Sequence, residues 1–534
     1  MTASQFNPQP RGSASWFPFL LLTAGLLLRL RLAWRTFLNP DEALHFFLSR
    51  QPSLHLAYQA SLTTAHPPLM VLLLHYWTWF GESEFVLRLP FVIAGTVFCW
   101  TMFRWVARVA GGNAGLATLA LLLFSPSLIS LSAEIRQYPL LLMFCATCLC
   151  FLEKALEELS AKWMALSMLA LYLALLTHYS ALIFAAAAGI YGLLRLVRSK
   201  LPSPLIAAWI AGQAGGFAIC AFLFFSQISR LRSSGLPSEI ANTWLRGSIF
   251  HPGEDHFAVF ACSKTVRLFR YLFSHGTIGV LALGLFLFAV VGILWQTDSG
   301  SRKPANRELA LLFAVPFLIA LAAGVAGIYP YGGTRHDVVL ALFAMPAIAI
   351  GLNRLEFKHP RLRWKWARPV LLALALLICN LFPAASGPNI LPRNQDRKLM
   401  TAAMGFLESV PADSSLLADF QGSSVLHYYL CRNNSGVLFE ASRSLQQSRC
   451  ANYNLITSAK TQQGFERSAF PEMLAEVWQL APSEKTLWLF QTGWIDDKQQ
   501  VWIAELRRLG CDTPRNFGPN ILICPLSRPA PTGP

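Results

Sequence analysis

The chain has 534 residues, of which 54% are hydrophobic and only 13% are charged, and its mean hydropathy is +0.44. About 25% of the residues of a soluble domain are charged, so this composition excludes a soluble protein and indicates a polytopic membrane protein. The net charge of +16 does not require a nucleic-acid partner, because from residue 387 onward 14 Lys and Arg face 13 Asp and Glu. Nearly all the excess lies earlier, on short loops, as the positive-inside rule expects.

Residues 16–34 form the first apolar span, which can be mistaken for a signal peptide. Arg29 and Arg31 near its end, and the lack of a small-residue cleavage site, favour an uncleaved anchor. A polar loop is predicted over 35–66. The apolar stretch 67–80 begins with two prolines and is too short to span a bilayer comfortably, so a re-entrant or interfacial segment is expected there.

Ten further segments are apolar enough to be membrane spans, which with the first makes about eleven. They are 84–106, 113–131, 138–152, 163–177, 179–195, 204–226, 272–295, 307–327, 336–352 and 368–386.

Loop charges predict the orientation of these spans. With the N-terminus in the cytoplasm, the basic clusters fall on inside loops, and the densest is the run from Arg354 to Arg368. The loop 227–271 then lies outside although it carries six Lys and Arg, but long loops follow the rule less strictly. The other outside segments are 35–66, 132–137, the turn at His178, 328–335 and the C-terminal portion.

The C-terminal portion has the pattern of a small α/β domain. Four runs are typical of strands and two have helical spacing, and this alternation predicts a mainly parallel sheet. The strand runs are 414–420, 436–440, 485–493 and 520–526, and the helical runs are 471–481 and 500–510. We therefore divide the chain into a transmembrane domain, 1–386, and an extracytoplasmic α/β domain, 387–534.

Four cysteines lie in the C-terminal portion, namely Cys431, Cys450, Cys511 and Cys524. In an oxidising compartment they can form two disulfides, whose pairing the sequence leaves open. The cysteines of the apolar spans, by contrast, are expected to pack as small hydrophobic side chains.

Acidic residues are scarce before residue 387, and all fifteen lie near one membrane surface or the other. A proton- or ion-coupled transporter would place ionisable groups near the bilayer midplane, and this chain places no carboxylate there. The distribution favours chemistry at the outer surface.

Four polar clusters share that outer side. They supply a carboxylate base, cations for an anion, and glycines that let the backbone approach a ligand. This combination suits transfer of a group from a phosphate leaving group to a hydroxyl or amine. The clusters are Asp41-Glu42 with His45, His66-Pro67-Pro68, the segment from Glu134 to Tyr138 (EIRQY), and the segment from Tyr329 to Asp337 (YPYGGTRHD).

In their order along roughly residues 15–386, these motifs resemble those of the lipid-phosphate-sugar-dependent glycosyltransferases of the GT-C fold. That superfamily contains the protein O-mannosyltransferases and the lipid A aminoarabinose transferases. The shared features are an Asp-Glu pair after the first span, a His-Pro-Pro segment, an acid-x-Arg-x-Tyr motif, and an arginine at the start of a late span. The C-terminal domain is similar to domains that many such enzymes append, but it has no motif of its own.

The resemblance implies an integral-membrane enzyme that moves a monosaccharide, with inversion, from a polyprenyl- or dolichyl-phosphate donor to an extracytoplasmic protein, lipid or glycan. It implies a bacterial inner-membrane location and no required cofactor, with a divalent cation as an open alternative. No metal-ligating residue is assigned. The implied roles are catalysis for Asp41 and Glu42, donor-phosphate binding for Arg136, Tyr138, Arg335 and His336, and substrate positioning for His66, Glu134 and Tyr331.

Each assignment has a structural alternative. Asp41 can instead cap a helix after Pro40 with Glu42 in its first turn, and Arg136 can simply pair with Glu134. Arg335 can extend to the membrane interface, and a packing role is favoured for both His66 and His178. For the whole chain, the alternative function is a flippase or transporter of a lipid-linked sugar.

Overall fold

The computed structural model describes residues 16–199, 201–233, 236–295, 303–354, 371–372, 374–376, 378, 395–431, 445–458, 465, 467–493 and 499–529. Its membrane portion is helical. The helices are α1 Phe17–Arg35, α2 Pro40–Ser49, α3 Leu54–Ser61, α4 Leu69–Trp77, α5 Glu84–Ala110, α6 Gly112–Phe124, α7 Pro126–Ser132, α8 Tyr138–Glu158, α9 Ala161–Leu175, α10 Ala181–Arg198, α11 Ser203–Leu223, α12 Ser229–Ser233, α13 Leu236–Asn242, α14 Phe257–Phe273, α15 Gly276–Leu294, α16 Asn306–Val325 and α17 Ala341–Arg354.

Within the described residues, eight helical segments are long and apolar enough to cross a membrane, or nine if the bent pair α6 and α7 is one span. The number of candidate spans is lower than the expected eleven for two reasons. Helix α9 is apolar but has only 15 residues, and the predicted span 368–386 lies almost entirely outside the described residues. The segment Arg335–Asn353 contains nearly all of α17, and 83% of its most apolar window is buried, so it lies inside the bundle.

The expected polar loop 35–66 is in fact largely helical, since it contains α2 and α3. Asn39 caps α2: its side chain accepts a hydrogen bond from the Glu42 amide, and the Glu42 side chain accepts one from the Asn39 amide. Pro40 occupies the first helical position, where its missing N–H costs nothing. Short helices with such strong local caps were hidden by the polar composition of the segment.

The span predicted over 113–131 is broken, and its two halves, α6 and α7, meet at 60°. Pro126 begins the second half, so the carbonyls at the end of α6 lose their next-turn amide partners. The fully buried guanidinium of Arg29 on α1 replaces them: Nη1 donates to the Leu123 carbonyl at 3.0 Å, and Nη2 donates to the Leu122 carbonyl at 3.3 Å. Arg29 is therefore a structural part of the bundle, although the sequence suggested only an anchor end.

The C-terminal portion contains helices α18 Arg397–Glu408, α19 Phe420–Tyr429, α20 Phe470–Leu480 and α21 Gln499–Arg508. Its strands are β1 Ser415–Asp419, β2 Leu445–Cys450, β3 Tyr453–Ser458, β4 Thr486–Thr492, β5 Arg515–Asn516 and β6 Ile521–Ser527. They form one sheet in the order β2-β3-β1-β4-β6-β5.

The expectation of a mainly parallel sheet was wrong. Strand β1 pairs in parallel with β3 and β4, but the outer pairings β2–β3, β4–β6 and β5–β6 are antiparallel. The reason is local for β2 and β3, because only two residues connect them, which is enough for a hairpin but not for a crossover. The predicted strand 436–440 and the boundary at 386/387 lie outside the described residues, so both remain predictions.

Two disulfides join the four C-terminal cysteines, as Cys431–Cys450 and Cys511–Cys524. Their Cα atoms are 4.4 and 5.8 Å apart. The pairing that the sequence left open is therefore between neighbours along the chain.

The C-terminal portion contacts the segment between α1 and α2. Arg35 at the end of α1 forms a 3.0 Å ion pair with Asp396, and the Phe37 amide donates to the Gln395 carbonyl at 3.0 Å. At the next residue, the Leu38 amide donates to the hydroxyl of Tyr429 on α19 at 2.9 Å. The segment that leads into α2 is thus held from the side of the C-terminal portion.

Candidate active site

Asp41 lies in the first turn of α2, and two arginines from distant parts of the chain contact it. Arg136, from the loop between α7 and α8, donates to Oδ2 of Asp41. Nη2 of Arg335, which precedes α17, lies 3.0 Å from the same oxygen. The Asp41 side chain is 29% exposed and that of Arg136 only 3%. One accessible carboxylate therefore sits between two fixed cations, as the sequence predicted for this face.

Glu134 extends this charged cluster. Its Oε2 lies 3.7 Å from Nε of Arg136, and it occupies the same short loop. Burial, together with the neighbouring Glu42 carboxylate, raises the pKa of Glu134 to about 7. Besides Asp41, the cluster thus contains a second carboxyl group, that of Glu134, and this group changes its charge near neutral pH.

Glu42 is held differently from Asp41. Both oxygens accept hydrogen bonds of 2.7 Å from Arg88 of α5, and the carboxylate also accepts from the amides of Asn39 and Ile135. Arg88 in turn donates to the carbonyls of Ala33, Thr36 and Phe37. Neither side chain of the pair is more than 1% exposed. Because both of its oxygens are engaged, Glu42 fixes the start of α2 against α5. Glu42 thus has the structural role in the first turn of the helix that the sequence offered as an alternative, although the residue that caps α2 is Asn39 and not Asp41.

Arg335 is presented by the glycine pair before it. Gly332 and Gly333 have φ values of +122° and +81°, in the region that favours glycine. A side chain on Gly333 would approach the Arg267 carbonyl oxygen of α14 to 2.6 Å. Asp337 closes the turn by accepting from the Gly332 amide at 2.9 Å. The glycines let this turn pass directly over α14, which brings Arg335 to Asp41.

Tyr331, from the same motif, is not brought to Asp41. Its side chain is buried, and its hydroxyl hydrogen-bonds Thr265 of α14 at 2.7 Å. The substrate-positioning role expected for Tyr331 therefore finds no support in its contacts, which join this turn to α14 instead.

A wall of aromatic and imidazole rings lies beside the charged cluster. His66 stacks on His178 with ring centres 5.5 Å apart, and Tyr138 contacts both His178, at 5.1 Å, and His336, at 6.4 Å. Burial is the main cause that lowers the pKa of His66 to about 3, and that of His45 to about 4. These two imidazoles are neutral at physiological pH, so they can exchange hydrogen bonds without adding charge.

Several residues of this region were missed or undervalued. Arg88 was overlooked, although an arginine within an apolar span is a signal of a buried polar role. His178, expected to pack structurally, stands in the ring wall. Gln227 gave no signal, yet it donates to the carbonyls of Thr64 and His66 at 2.7 Å and so holds the loop that ends at His66.

Three buried polar atoms around Asp41 make no hydrogen bond within the described part of the chain. They are Nδ1 of His45, Nε of Arg136 and Oε1 of Gln137. Buried polar atoms are nearly always paired, so such a concentration is typical of a site that a ligand completes. No group of three or more His, Cys, Asp or Glu in the described residues is arranged to hold a metal ion.

The comparisons with known proteins bear on both fold and sequence. The sequence model of the family described as dolichyl-phosphate-mannose-protein mannosyltransferase matches residues 65–224. The apo crystal structure of ArnT from Cupriavidus metallidurans superposes with a TM-score of 0.52 at 14% identity, over 96% of this chain and 99% of that one. The same protein bound to undecaprenyl phosphate gives 0.50 at 12% identity, over 97% and 100%. No curated protein sequence matches the chain.

The fold is therefore that of the GT-C membrane glycosyltransferases, with a strand-containing C-terminal portion. The resemblance to the GT-C glycosyltransferase superfamily, expected from four short motifs, is confirmed by the family model over residues 65–224 and by the fold. The chain is an integral membrane protein, as its multiple apolar helices and its fold indicate.

Proposed function

We propose that this protein is an inverting glycosyltransferase that moves a monosaccharide from a polyprenyl- or dolichyl-phosphate donor to an extracytoplasmic acceptor. The observation that carries the proposal is the contact of Arg136 and Arg335 with one oxygen of the partly exposed Asp41. A base beside two cations suits a reaction that takes a proton from an acceptor and leaves negative charge on a phosphate.

Asp41 is the general base in this proposal. It takes the proton of the acceptor hydroxyl or amine as that group attacks the anomeric carbon. The bond between this carbon and the phosphate oxygen breaks at the same time, and the electron pair leaves with the lipid phosphate. Because the attack and the departure occur on opposite faces of the sugar and no enzyme-bound sugar forms, the configuration inverts.

Arg136 and Arg335 hold the phosphate in the donor and stabilise the charge that grows on it. In the resting site both guanidiniums are held by Asp41, so an arriving phosphate competes with the base for them. Donor binding thus loosens Asp41 from its counter-ions and makes its carboxylate a better proton acceptor at the moment when a base is needed.

The remaining residues have supporting roles. Tyr138 and His336, which face each other in the ring wall, complete the phosphate and sugar side of the site, and His66 positions the substrate. Glu134 also positions the substrate in this proposal, and its carboxylate, 3.7 Å from Nε of Arg136, offsets part of the positive charge around the phosphate. Glu42 is assigned to positioning, since its oxygens are already taken by Arg88 and two backbone amides. No cofactor is required by these steps as proposed.

The site and the C-terminal domain are proposed to face the outside of a bacterial inner membrane. Two disulfides in the C-terminal portion support this side, because disulfides persist in oxidising compartments.

The test is sugar transfer in proteoliposomes from a panel of radiolabelled polyprenyl-phosphate sugars. The wild type is compared with Asp41→Asn and with Asp255→Asn, a matched control in an exposed outer segment. We expect Asp41→Asn to lose about 10²-fold or more of the transfer, and Asp255→Asn to keep it. Equal transfer by all three proteins would remove Asp41 from catalysis, and movement of the lipid-linked sugar across the membrane without transfer would establish a flippase instead.

A further inference from the structure

A cavity lies apart from Asp41, between the membrane portion and the C-terminal portion. Its volume is about 350 Å³, within the usual range for small-ligand sites. It is bounded by α2, by the start of α5, and by α18 and α19. Its walls combine aromatic rings with charged groups, and each set restricts the ligand that fits.

The charged groups of the cavity are paired with each other. Nε of Arg50 lies 2.8 Å from Glu82, and Nε of Arg397 lies 2.9 Å from Glu84. Glu84 is almost buried, and it also accepts a hydrogen bond from the Tyr429 hydroxyl. A charged ligand would have to break one of these ion pairs, whereas a neutral ligand can hydrogen-bond to their edges and leave them intact. The arrangement favours a neutral polar ligand.

The aromatic groups supply flat apolar faces between those ion pairs. The rings of Phe46 and Tyr428 meet edge to face at 5.1 Å, and those of Phe47 and His427 do so at 5.4 Å. A sugar ring has an apolar C–H face and hydroxyls around its rim, so it can lie against such a ring while its hydroxyls reach charged neighbours. An alkyl chain could pack against the rings but could not hydrogen-bond to the two ion pairs, so it fits this cavity less well than a sugar.

This cavity is on the other side of α2 from the proposed base. With 3.6 residues per turn, Phe46 and Phe47 lie about 140° and 240° around the helix from Asp41, and Arg50 lies about 180°. The full width of a helix, about 10 Å, therefore separates the two sites. A ligand in the cavity does not overlap the space where the donor phosphate would meet Arg136 and Arg335.

The cavity is nevertheless joined to the catalytic segment. Tyr429 lines it, and the same hydroxyl accepts the hydrogen bond of the Leu38 amide, three residues before Asp41. Tyr428 lines it as well and donates to the Glu82 carbonyl at 2.7 Å. A bound ligand thus contacts the residues that hold the start of α2 in place.

We propose that this cavity is a subsite for a neutral sugar residue, supplied by an acceptor glycan. The origin of the sugar rests on the proposed transferase function, but the existence of the subsite does not. A glycan bound here would lie over the edge of α2 with a neighbouring sugar free to reach Asp41. Acceptors that lack the neutral sugar would bind less tightly.

The test is saturation-transfer NMR on the full chain in detergent, without any donor. The probes are methyl glucoside, N-acetylglucosamine and maltose, with a tetrapeptide of uncharged residues as the competing class. We expect at least one sugar to bind the wild type, Asp41→Asn and the exposed-ring control Phe257→Ala. We expect Phe47→Ala to bind about tenfold more weakly, since one aromatic stacking contact is lost.

Glu82→Gln serves as a second variant, because this partly exposed side chain can change without emptying the aromatic wall. It should weaken sugar binding while the unfolding temperature stays the same. The proposal is overturned if no sugar binds the wild type, if the peptide binds in preference, or if Asp41→Asn loses sugar binding that Phe47→Ala and Glu82→Gln retain. Because no donor is present, a failure of sugar transfer leaves these outcomes unchanged.

Discussion

Arg88 donates two hydrogen bonds of 2.7 Å to the carboxylate of Glu42, and both side chains are buried. The same guanidinium donates to the carbonyl of Ala33, in the last turn of α1, and to the carbonyls of Thr36 and Phe37, in the segment that joins α1 to α2. This one pair therefore fixes three elements at once, namely the end of α1, the start of α2 and the first turns of α5. Asp41 is the residue next to it.

Glu42→Gln is expected to lower the stability of the protein by about 3–5 kcal/mol, because it leaves the Arg88 charge buried without its counter-ion. Thermal unfolding in detergent measures the effect. The control is Glu254→Gln, which breaks the exposed pair with Arg246 and should cost at most about 1 kcal/mol. An unfolding temperature equal to that of the control would show that Arg88 and Glu42 are not a structural pair.

Arg136→Lys and Arg335→Lys are each expected to weaken binding of a short-chain polyprenyl phosphate by about tenfold. Lysine keeps the charge but loses the planar fork that holds an oxyanion through two parallel hydrogen bonds. Titration of the lipid phosphate against the purified protein gives the affinities. Arg246→Lys, in an exposed segment, should bind like the wild type, and undiminished binding by both site variants would argue against a phosphate at this position.

The charge of Glu134 predicts a pH dependence of donor binding. Its pKa is raised to about 7, so the carboxyl group is ionised above this pH and neutral below it. As the pH falls from 8 to 6.5, the ionised fraction of Glu134 falls from about nine-tenths to about one-quarter, and the affinity for the lipid phosphate should rise by about fourfold. Glu134→Gln should bind with the same affinity across this range, apart from the titration of the phosphate itself, which occurs near pH 6. A wild-type profile identical to that of the variant would contradict the assignment.

Tyr429→Phe is expected to free the segment before Asp41, because the phenylalanine cannot accept the hydrogen bond of the Leu38 amide or donate to Glu84. Hydrogen exchange should become faster at the Leu38 amide by about tenfold or more, as for a lost hydrogen bond of about 1–3 kcal/mol. Tyr453→Phe is the matched control, since its hydroxyl bonds the Leu407 carbonyl within the C-terminal portion. Unchanged exchange at Leu38 would mean that Tyr429 does not hold this segment.

The proposed orientation predicts the accessibility of Cys262, the exposed free cysteine of α14. A membrane-impermeant maleimide should label it in spheroplasts without permeabilisation. In a Cys262→Ala background, Lys162→Cys, on the side predicted to be cytoplasmic, should be labelled only after permeabilisation. The opposite labelling pattern would show that the membrane orientation is the reverse of the one proposed.

The sequence was most informative where a residue must meet water or a ligand. A charged residue at the end of an apolar span is costly unless it faces water, a partner or a ligand. This rule predicts a shared site for Asp41, Arg136 and Arg335, and the structure brings all three together. Tyr331 lies in the same motif as Arg335, but its direction depends on how the Gly332-Gly333 turn packs on α14, which no local pattern specifies.

The interior of the bundle was harder to predict. Arg29 and Arg88 both lie inside apolar spans, and their partners are mainly backbone carbonyls of other elements. A carbonyl has no sequence signature, so such pairings become visible only in three dimensions. The helices α2 and α3 were missed for the opposite reason, since the polar composition of the segment concealed caps that depend on two side chains in α2 and on the single side chain of Ser53 in α3.

The break between α6 and α7 also constrains how the chain assembles. The last carbonyls of helix α6 cannot be satisfied by its own continuation, and their donor, Arg29, lies on α1, about ninety residues earlier in the chain. Without α6, the Arg29 guanidinium would lack these two acceptors in an apolar environment. Each helix therefore supplies the hydrogen-bond partners that the other needs to be stable in lipid, so α1 and α6 are expected to become stable in the membrane together rather than one at a time.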